Sequence, residues 1–250
     1  MDAPETLEGW FALHDFRLVD WGAWNAASEA EREKAVAEAA DQIGSFERVE
    51  DAAEGASATY RVVGHKADLL LFHLRPGVEE LLELEQRFNQ LALAAFSTRP
   101  YSYLSVVELS RHGAPEGAAE SIEQSPYVQA RLKPQLPEHD GHICFYPMDK
   151  KRTAEENWYT LAASERGALM RSHGRIGRTF TDRVTQIVTG SMGLDDWEWG
   201  VTLFSDDPLV FKKLVYEMRF DEVSARYALF GPFFLGARLP PGRLAAYLGT

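Results

Sequence analysis

Cysteine is almost missing. Cys144 stands alone in 250 residues, which excludes an intramolecular disulfide, a zinc ribbon, an iron–sulfur set and covalent haem attachment through C-x-x-C-H. Such usage fits a reducing compartment, and the cytoplasm is the expected location. Long hydrophobic runs are lacking too. No stretch approaches the roughly 18 apolar residues that cross a bilayer, and MDAPETLEGW at the start has neither the basic nor the apolar part of a secretion signal. The expectation is an unprocessed protein with no membrane partner. Cations are also scarce: Lys and Arg number 26 against 38 acids, a formal charge of −12, and a field of that sign repels polyanions. Nucleic acid is a poor partner on that ground, while an acidic small ligand would need a local gathering of cations. Arg131, Lys150, Lys151, Arg152 and Arg219 are the candidates for such an island.

Apolar residues are plentiful, at 45% of the chain, enough to bury one large core or two ordinary ones. Their periodicity gives the same order twice. Residues 9–18 read as a strand; Ser28 and Glu31 form a capping box opening a helix with Val36, Ala39, Ala40 and Ile43 on its buried stripe, stopped at Gly44. Strands follow at 58–63 and 67–74, joined through Gly64, then a helix over 78–96 with Leu81, Leu84, Phe88, Leu91 and Ala95 on one face, then a strand at 101–109. After a Gly- and Pro-containing connection at 113–117 and a helix over 121–132, the pattern restarts. A strand at 142–148, a helix over 162–173 ended by Gly174, strands at 184–189 and 197–204, a helix from the Asp207-Pro208 cap to 222 and a strand at 228–235 complete it. Each half is a βαββαβ unit. The fold class expected is α+β, with two tandem ferredoxin-like units closing into one barrel. Residues 1–115 would form a structural or assembly unit, 116–140 a connecting helix and loop, and 141–250 the unit that binds a ligand.

His173 shares a helical face with Leu169 and Met170. A helix-end histidine stabilised by the macrodipole accounts for it; so does an axial metal ligand with a second acceptor holding its other N–H, for which Glu222 is the candidate. His139 and His142 are spaced H-x-x-H but sit in a loop, without the helical geometry of a zinc site. Cys144 reads as a small buried hydrophobe, and the run 174–178, GRIGR, as helix exit and loop. Residues 144–152, CFYPMDKKR, end an apolar strand on a tyrosine, a proline and four charges. Tyr146 could be a core plug or, beside an oxidising cofactor, a radical site. Trp158, Trp197 and Trp199 read as core.

The stretches 145–152, 172–178 (SHGRIGR), 195–204 (DDWEWGVTLF) and 218–227 (MRFDEVSARY) resemble the chlorite dismutase superfamily, and within it the coproheme decarboxylase branch. The similarity spans almost the whole chain. It implies an enzyme whose substrate and redox cofactor is iron coproporphyrin III, converted to haem b with hydrogen peroxide. His173 matches the iron ligand, with Glu198 of the matching 195–204 stretch as the alternative to Glu222 for supporting it, and Tyr146 matches the radical-forming catalytic residue, which takes hydrogen from the β-carbon of a propionate. Arg131, the segment Tyr146, Pro147, Met148, Asp149 and Lys150, Gln186 and Ser224 match positions that hold the porphyrin, with Arg219 as an added propionate contact. Chlorite dismutases carry an arginine where this chain has Gln186, which counts against chlorite chemistry. Actinobacterial decarboxylases are thought to use histidine where this chain has Tyr146. The resemblance further implies a homopentamer and a transient contact with coproporphyrin ferrochelatase.

Overall fold

The computed structural model describes residues 5–110, 124–137 and 141–250. In chain order it contains β1 (Thr6–Val19), α1 (Trp21–Ala26), α2 (Glu29–Glu47), β2 (Ala56–Val62), β3 (Leu69–Arg75), α3 (Val78–Asn89) and β4 (Ser97–Ser110). Then come α4 (Pro126–Leu132), β5 (His142–Lys150), α5 (Ala163–Arg178), β6 (Thr185–Gly190), β7 (Trp199–Ser205), α6 (Pro208–Met218), a π turn (Val223–Tyr227), β8 (Ala228–Phe230), β9 (Phe234–Arg238) and α7 (Leu244–Leu248). Two compact units result. Among the described residues, the first takes in those of Trp10–Leu104, Pro134–Leu136 and Phe234–Thr250, and the second those of Met1–Gly9, Ser105–Lys133 and Pro137–Phe233. They do not follow a single cut in the chain. The connection at 113–117 and the start of the helix at 121 lie outside the described residues, as does His139.

The duplication is visible in the strand order. In the first unit β4, β1, β3 and β2 lie side by side, with β9 added beyond β2. In the second, β8 pairs with β5, β5 with β7 and β7 with β6, all antiparallel. Both follow the 4-1-3-2 order of a ferredoxin-like βαββαβ unit. Local chemistry sets the helix starts: Ser28 and Glu31 complete the capping box of α2, and Asp207 accepts the Leu209 N–H with Pro208 in the first turn of α6. Val36, Ala39, Ile43 and Phe46 of α2, with Leu81, Leu84 and Phe88 of α3, pack on Leu13, Leu69 and Leu71 of the sheet.

Several boundaries differ from the sequence expectation, each for a local reason. The helix expected over 78–96 ends at Asn89, and a 3-10 turn at Ala92–Phe96 leads into β4. The strand expected at 228–235 is split by Gly231-Pro232, since proline cannot continue the ladder. Gly174 does not stop α5, which runs to Arg178, so GRIGR is its last turn. An interior glycine costs a helix only about 1 kcal/mol, and Arg175 and Arg178 suit its C-terminal end. His173 is therefore well inside the helix, and the macrodipole reading of it is withdrawn.

Among the described residues, one non-glycine backbone position is strained. Just past the C-terminus of α2, Val49 adopts φ 55°, the left-handed region where a β-branched residue pays roughly 1–2 kcal/mol. Glycine is the usual residue there. After allowing for glycine's greater freedom in the unfolded chain, Val49→Gly is expected to stabilise the protein by about 0.5–1 kcal/mol, read as a higher urea midpoint.

Candidate active site

Helix α5 is where the second unit departs from the first. Its counterpart α2 buries Ala35, Val36, Ala39, Ile43, Gly44 and Phe46, as an amphipathic helix over a sheet should. Among the 16 residues of α5 only Arg166 is buried, and Met170 is 36% exposed. Strand β6 shows the same difference, with Gln186 exposed and Val188 38% exposed. Apolar and histidine side chains left uncovered by the protein's own packing are what a ligand-binding face would offer.

His173 lies on that helix, half-buried. Its Nδ1 is 2.7 Å from Oδ2 of Asp221, which is 5% exposed. A carboxylate only accepts, so Nδ1 carries the hydrogen and Nε2 keeps its lone pair. The same Oδ2 accepts the Ser224 backbone N–H at 3.3 Å, which fixes the carboxylate from its other side. Burial holds the imidazole below its usual range, opposed by the Asp221 carboxylate and aided by the Lys150 charge. The ring is neutral and fit to bind a metal.

The acceptor is thus neither Glu222 nor Glu198. Helix α6 ends at Met218, short of the expected 222, and the chain then winds into the π turn at Val223–Tyr227. That turn sends Asp221 inward and Glu222 outward, where Glu222 accepts from Arg226 at 2.8 Å. Glu198 is buried but accepts the Lys150 backbone N–H at 2.7 Å and pairs with Arg152 at 3.2 Å. Sequence reasoning missed Asp221 because it extended the helix one turn too far. The only available signal was that three acidic or polar residues, Asp221, Glu222 and Ser224, follow the aromatic Phe220.

Strand β5 supplies the next group. Cys144, Tyr146, Met148 and Lys150 alternate onto one face, where Cys144 and Tyr146 join Val201, Leu203, Phe180, Val210, Phe211 and Leu214 in a buried cluster. Registered partners share a face. Tyr146 is therefore level with Val201 and Val188, and Cys144 with Leu203 and Gln186, so Gln186 and Tyr146 belong to the same sheet face. Cys144 is an inert hydrophobe, its thiol pushed up to about 12 by burial. Pro147 and Asp149 face the other way. The Pro147 carbonyl accepts from Gly231 N–H at 2.9 Å, and the Asp149 carboxylate accepts from Glu198 N–H at 2.8 Å.

The cationic island does not stay together. Lys151 pairs with Glu156 at 3.0 Å and Arg152 with Glu198, so both are neutralised. Lys150 is buried with its Nζ 4.8 Å above the Trp158 ring, and Arg219 lies 3.7 Å above the Phe230 ring. Burial pushes the Lys150 ammonium down to about 8, against the Asp221 and Glu198 carboxylates. Arg131 is exposed on α4, its guanidinium over Tyr127 at 5.9 Å. His142 Nδ1 meets the Asp206 backbone carbonyl at 3.1 Å.

The sequence over residues 32–239 matches the family model for chlorite dismutase. The chain belongs to the chlorite dismutase family. Coproheme decarboxylases from two strains of Thermus thermophilus are each 51% identical to it over 248 residues, covering 99% of this chain and 97% of theirs. A heme-binding protein, also from Thermus thermophilus, has a solved structure that superposes with a TM-score of 0.92 at 49% identity, across 100% of both chains. A mutant chlorite dismutase from Candidatus Nitrospira defluvii superposes at 0.77 with 18% identity, covering 98% of this chain and 97% of its own; that likeness speaks for the fold alone. It agrees with the tandem ferredoxin-like order read from the strand pairing. No helix among the described residues is long and apolar enough to cross a membrane.

Proposed function

We propose that this protein is a coproheme decarboxylase, converting iron coproporphyrin III to haem b by hydrogen-peroxide-dependent oxidative decarboxylation of two propionates, at the 2- and 4-positions. The observation that carries the reading is the cluster around α5: a neutral histidine oriented by a buried carboxylate on an uncovered helix face, with a buried lysine and a buried tyrosine on the sheet of the same unit. A relative 51% identical over nearly all of both chains is named coproheme decarboxylase. For each propionate the reaction consumes one peroxide and one proton and yields a vinyl group, carbon dioxide and two waters.

When bound, the substrate's iron supplies the redox chemistry with peroxide, and the protein supplies binding, orientation and electrostatics. His173 binds the iron through Nε2, with the Nδ1 hydrogen held by Asp221. A tetra-anionic ligand calls for cations in an acidic chain: Lys150, Arg219 and Arg131 take propionates, with Gln186 and Ser224 as neutral donors and Met148 against the porphyrin. Pro147 and Asp149 shape the strand end that presents Tyr146 and Lys150. Tyr146 is the catalytic residue: one oxidising equivalent of the peroxide would remove a hydrogen atom from its hydroxyl, which then takes one from the β-carbon of a propionate, and the second equivalent would remove the electron left on carbon as carbon dioxide departs and the vinyl group forms. The binding unit lies within residues 141–250, while 1–115 serve structure or assembly and 116–140 connect the two. A homopentamer, a coproporphyrin ferrochelatase as donor and a cytoplasmic location belong to the same reading.

The test is direct. Incubation with iron coproporphyrin III and hydrogen peroxide, followed by mass analysis of the porphyrin, should show the three-propionate intermediate and then haem b; unchanged or merely bleached coproporphyrin would overturn the assignment. A second expectation concerns Asp221. Its carboxylate makes the imidazole a stronger donor and so favours ferric iron. Asp221→Asn should leave the porphyrin bound but raise its iron reduction potential, as spectroelectrochemical titration would show.

A further inference from the structure

Tyr146 is enclosed by a short segment that neither the motif nor the proposed mechanism uses. After β8 the chain reads Phe230-Gly231-Pro232-Phe233. The Phe233 ring stacks on the Tyr146 ring, with centroids 4.5 Å apart and planes 25° from parallel, and Phe230 tilts against it at 5.8 Å. Behind them the Arg219 guanidinium lies 3.7 Å above the Phe230 ring. The segment is pinned to the tyrosine's own strand. Phe230 is registered with Met148, and Gly231 N–H donates to the Pro147 carbonyl at 2.9 Å. A Cβ on Gly231 would sit 2.7 Å from Pro147 Cγ and 2.9 Å from Trp197 Cζ2, so only glycine permits this approach. Pro232 stiffens the next step, and Pro147 restricts Tyr146 itself to extended backbone.

A simple hydrophobic filler would need volume beside Tyr146 but no particular ring plane. Here the neighbour is a near-parallel ring held by two prolines and a close-packed glycine, a geometry that fixes the phenol's χ2 and resists rotation of the ring. We propose that the Phe230–Phe233 clasp is a positioning device for Tyr146, with Phe233 as the positioning residue that sets the plane of the phenol and aims its hydroxyl. The inference rests on the reading of Tyr146 as the hydrogen-atom relay, because only such a role requires an aimed hydroxyl. Misplacing a reacting atom by about 1 Å costs on the order of a hundredfold in rate. Arg219 ties the clasp to substrate recognition: the cation assigned to a propionate rests on the ring that packs against the oxidisable phenol.

Ring-labelled tyrosine NMR of the porphyrin-free protein tests the device without turnover, the Tyr146 signal being identified by its loss in Tyr146→Phe. Slow ring flips are expected in the wild type and fast ones in Phe233→Ala. Phe233→Tyr keeps the stack and should restore slow flips. With coproheme bound, Phe233→Ala should keep the substrate KM but lose at least about tenfold in kcat, and the β-methylene splitting of the tyrosyl radical in EPR should broaden; Phe233→Tyr should recover both. If Phe233→Ala fails to fold, Phe233→Leu, which preserves bulk without a plane, takes its place with the same expectations. Wild-type flip rates and an unbroadened splitting in the alanine or leucine variant would overturn the proposal. Haem b formation that persists in Tyr146→Phe would instead overturn the relay, and the flip rates would still report on the clasp.

Discussion

Tyr146→Phe is expected to bind coproheme as the wild type does and to lose at least about a hundredfold in peroxide-driven haem b formation, roughly 2.7 kcal/mol on the barrier. The substitution keeps the ring that packs in the buried cluster with Val201, Leu203 and Phe211 and stacks on Phe233, so folding should be nearly unaffected. What it removes is the hydroxyl. Burial pushes that phenol above its ordinary range, the neighbouring Cys144 adds to the effect and Arg219 opposes it. A phenol so raised stays protonated at neutral pH and is useless as a base, but it remains able to give up an electron and a proton together. Mass analysis of the porphyrin after peroxide addition gives the answer. Near wild-type yields of haem b would move the radical elsewhere, with Trp158 and Trp199 the next residues to replace.

Which features could be read in advance follows from how local their causes are. The α+β duplication was legible because helix and strand periods, the Ser28 capping box and the Asp207-Pro208 cap act within a few residues. Cys144 and Tyr146 fell inside the strand expected at 142–148, whereas Lys150 lies past that bound and joins their face because β5 continues to it. Gly174 misled because a glycine inside a helix has a small cost that neighbouring good formers override. Asp221 was missed for a related reason: whether the chain after Met218 continues as helix or tightens into a π turn depends on packing of Val223 and Tyr227 against Trp158, residues some 65 positions apart in the chain. The clasp at 230–233 has the same origin, since nothing within Phe-Gly-Pro-Phe announces that it will close on a tyrosine more than 80 residues earlier.

Charge counting had a similar limit. It identified the need for cations, but not that Lys151 and Arg152 would be spent on Glu156 and Glu198. The three that remain over aromatic rings, Arg131, Lys150 and Arg219, are held by contacts that leave their N–H groups able to donate, since a cation–π contact fixes position through the ring face. That distinction, between cations spent on carboxylates and cations still able to donate, is revealed only by three-dimensional neighbours.

The other large effect lies in the first unit. Lowering the pH from about 6.5 is expected to destabilise the protein steeply, by roughly 2.7 kcal/mol per pH unit, because two histidines are buried there in neutral form. His14 is fully buried and stacked on Phe72 at 4.3 Å; burial drives its pKa down to about 3, with the Tyr103 backbone opposing and His73 adding. His73 faces the other side of the sheet, its Nδ1 2.8 Å from Ser57 Oγ and its ring edge-on to Phe46. Burial brings it also to about 3, with the Arg75 and Arg17 charges adding and Asp51 opposing. Between 6.5 and 3 the unfolded chain binds a proton at each position and the folded one does not, so stability is complete above 6.5 and lost as pH falls toward 3. Over two pH units the loss approaches 5 kcal/mol, comparable with the whole stability of many domains. Urea midpoints of the porphyrin-free protein between pH 7.5 and 4.5 would measure it, and His173, also held down by burial, acts in the same direction. His14→Phe, which keeps an aromatic ring beside Phe72, and His73→Gln, which keeps a partner for Ser57, should each remove about 1.4 kcal/mol per unit from the slope. Midpoints that stay level down to pH 5 would mean that these imidazoles accept protons inside the fold.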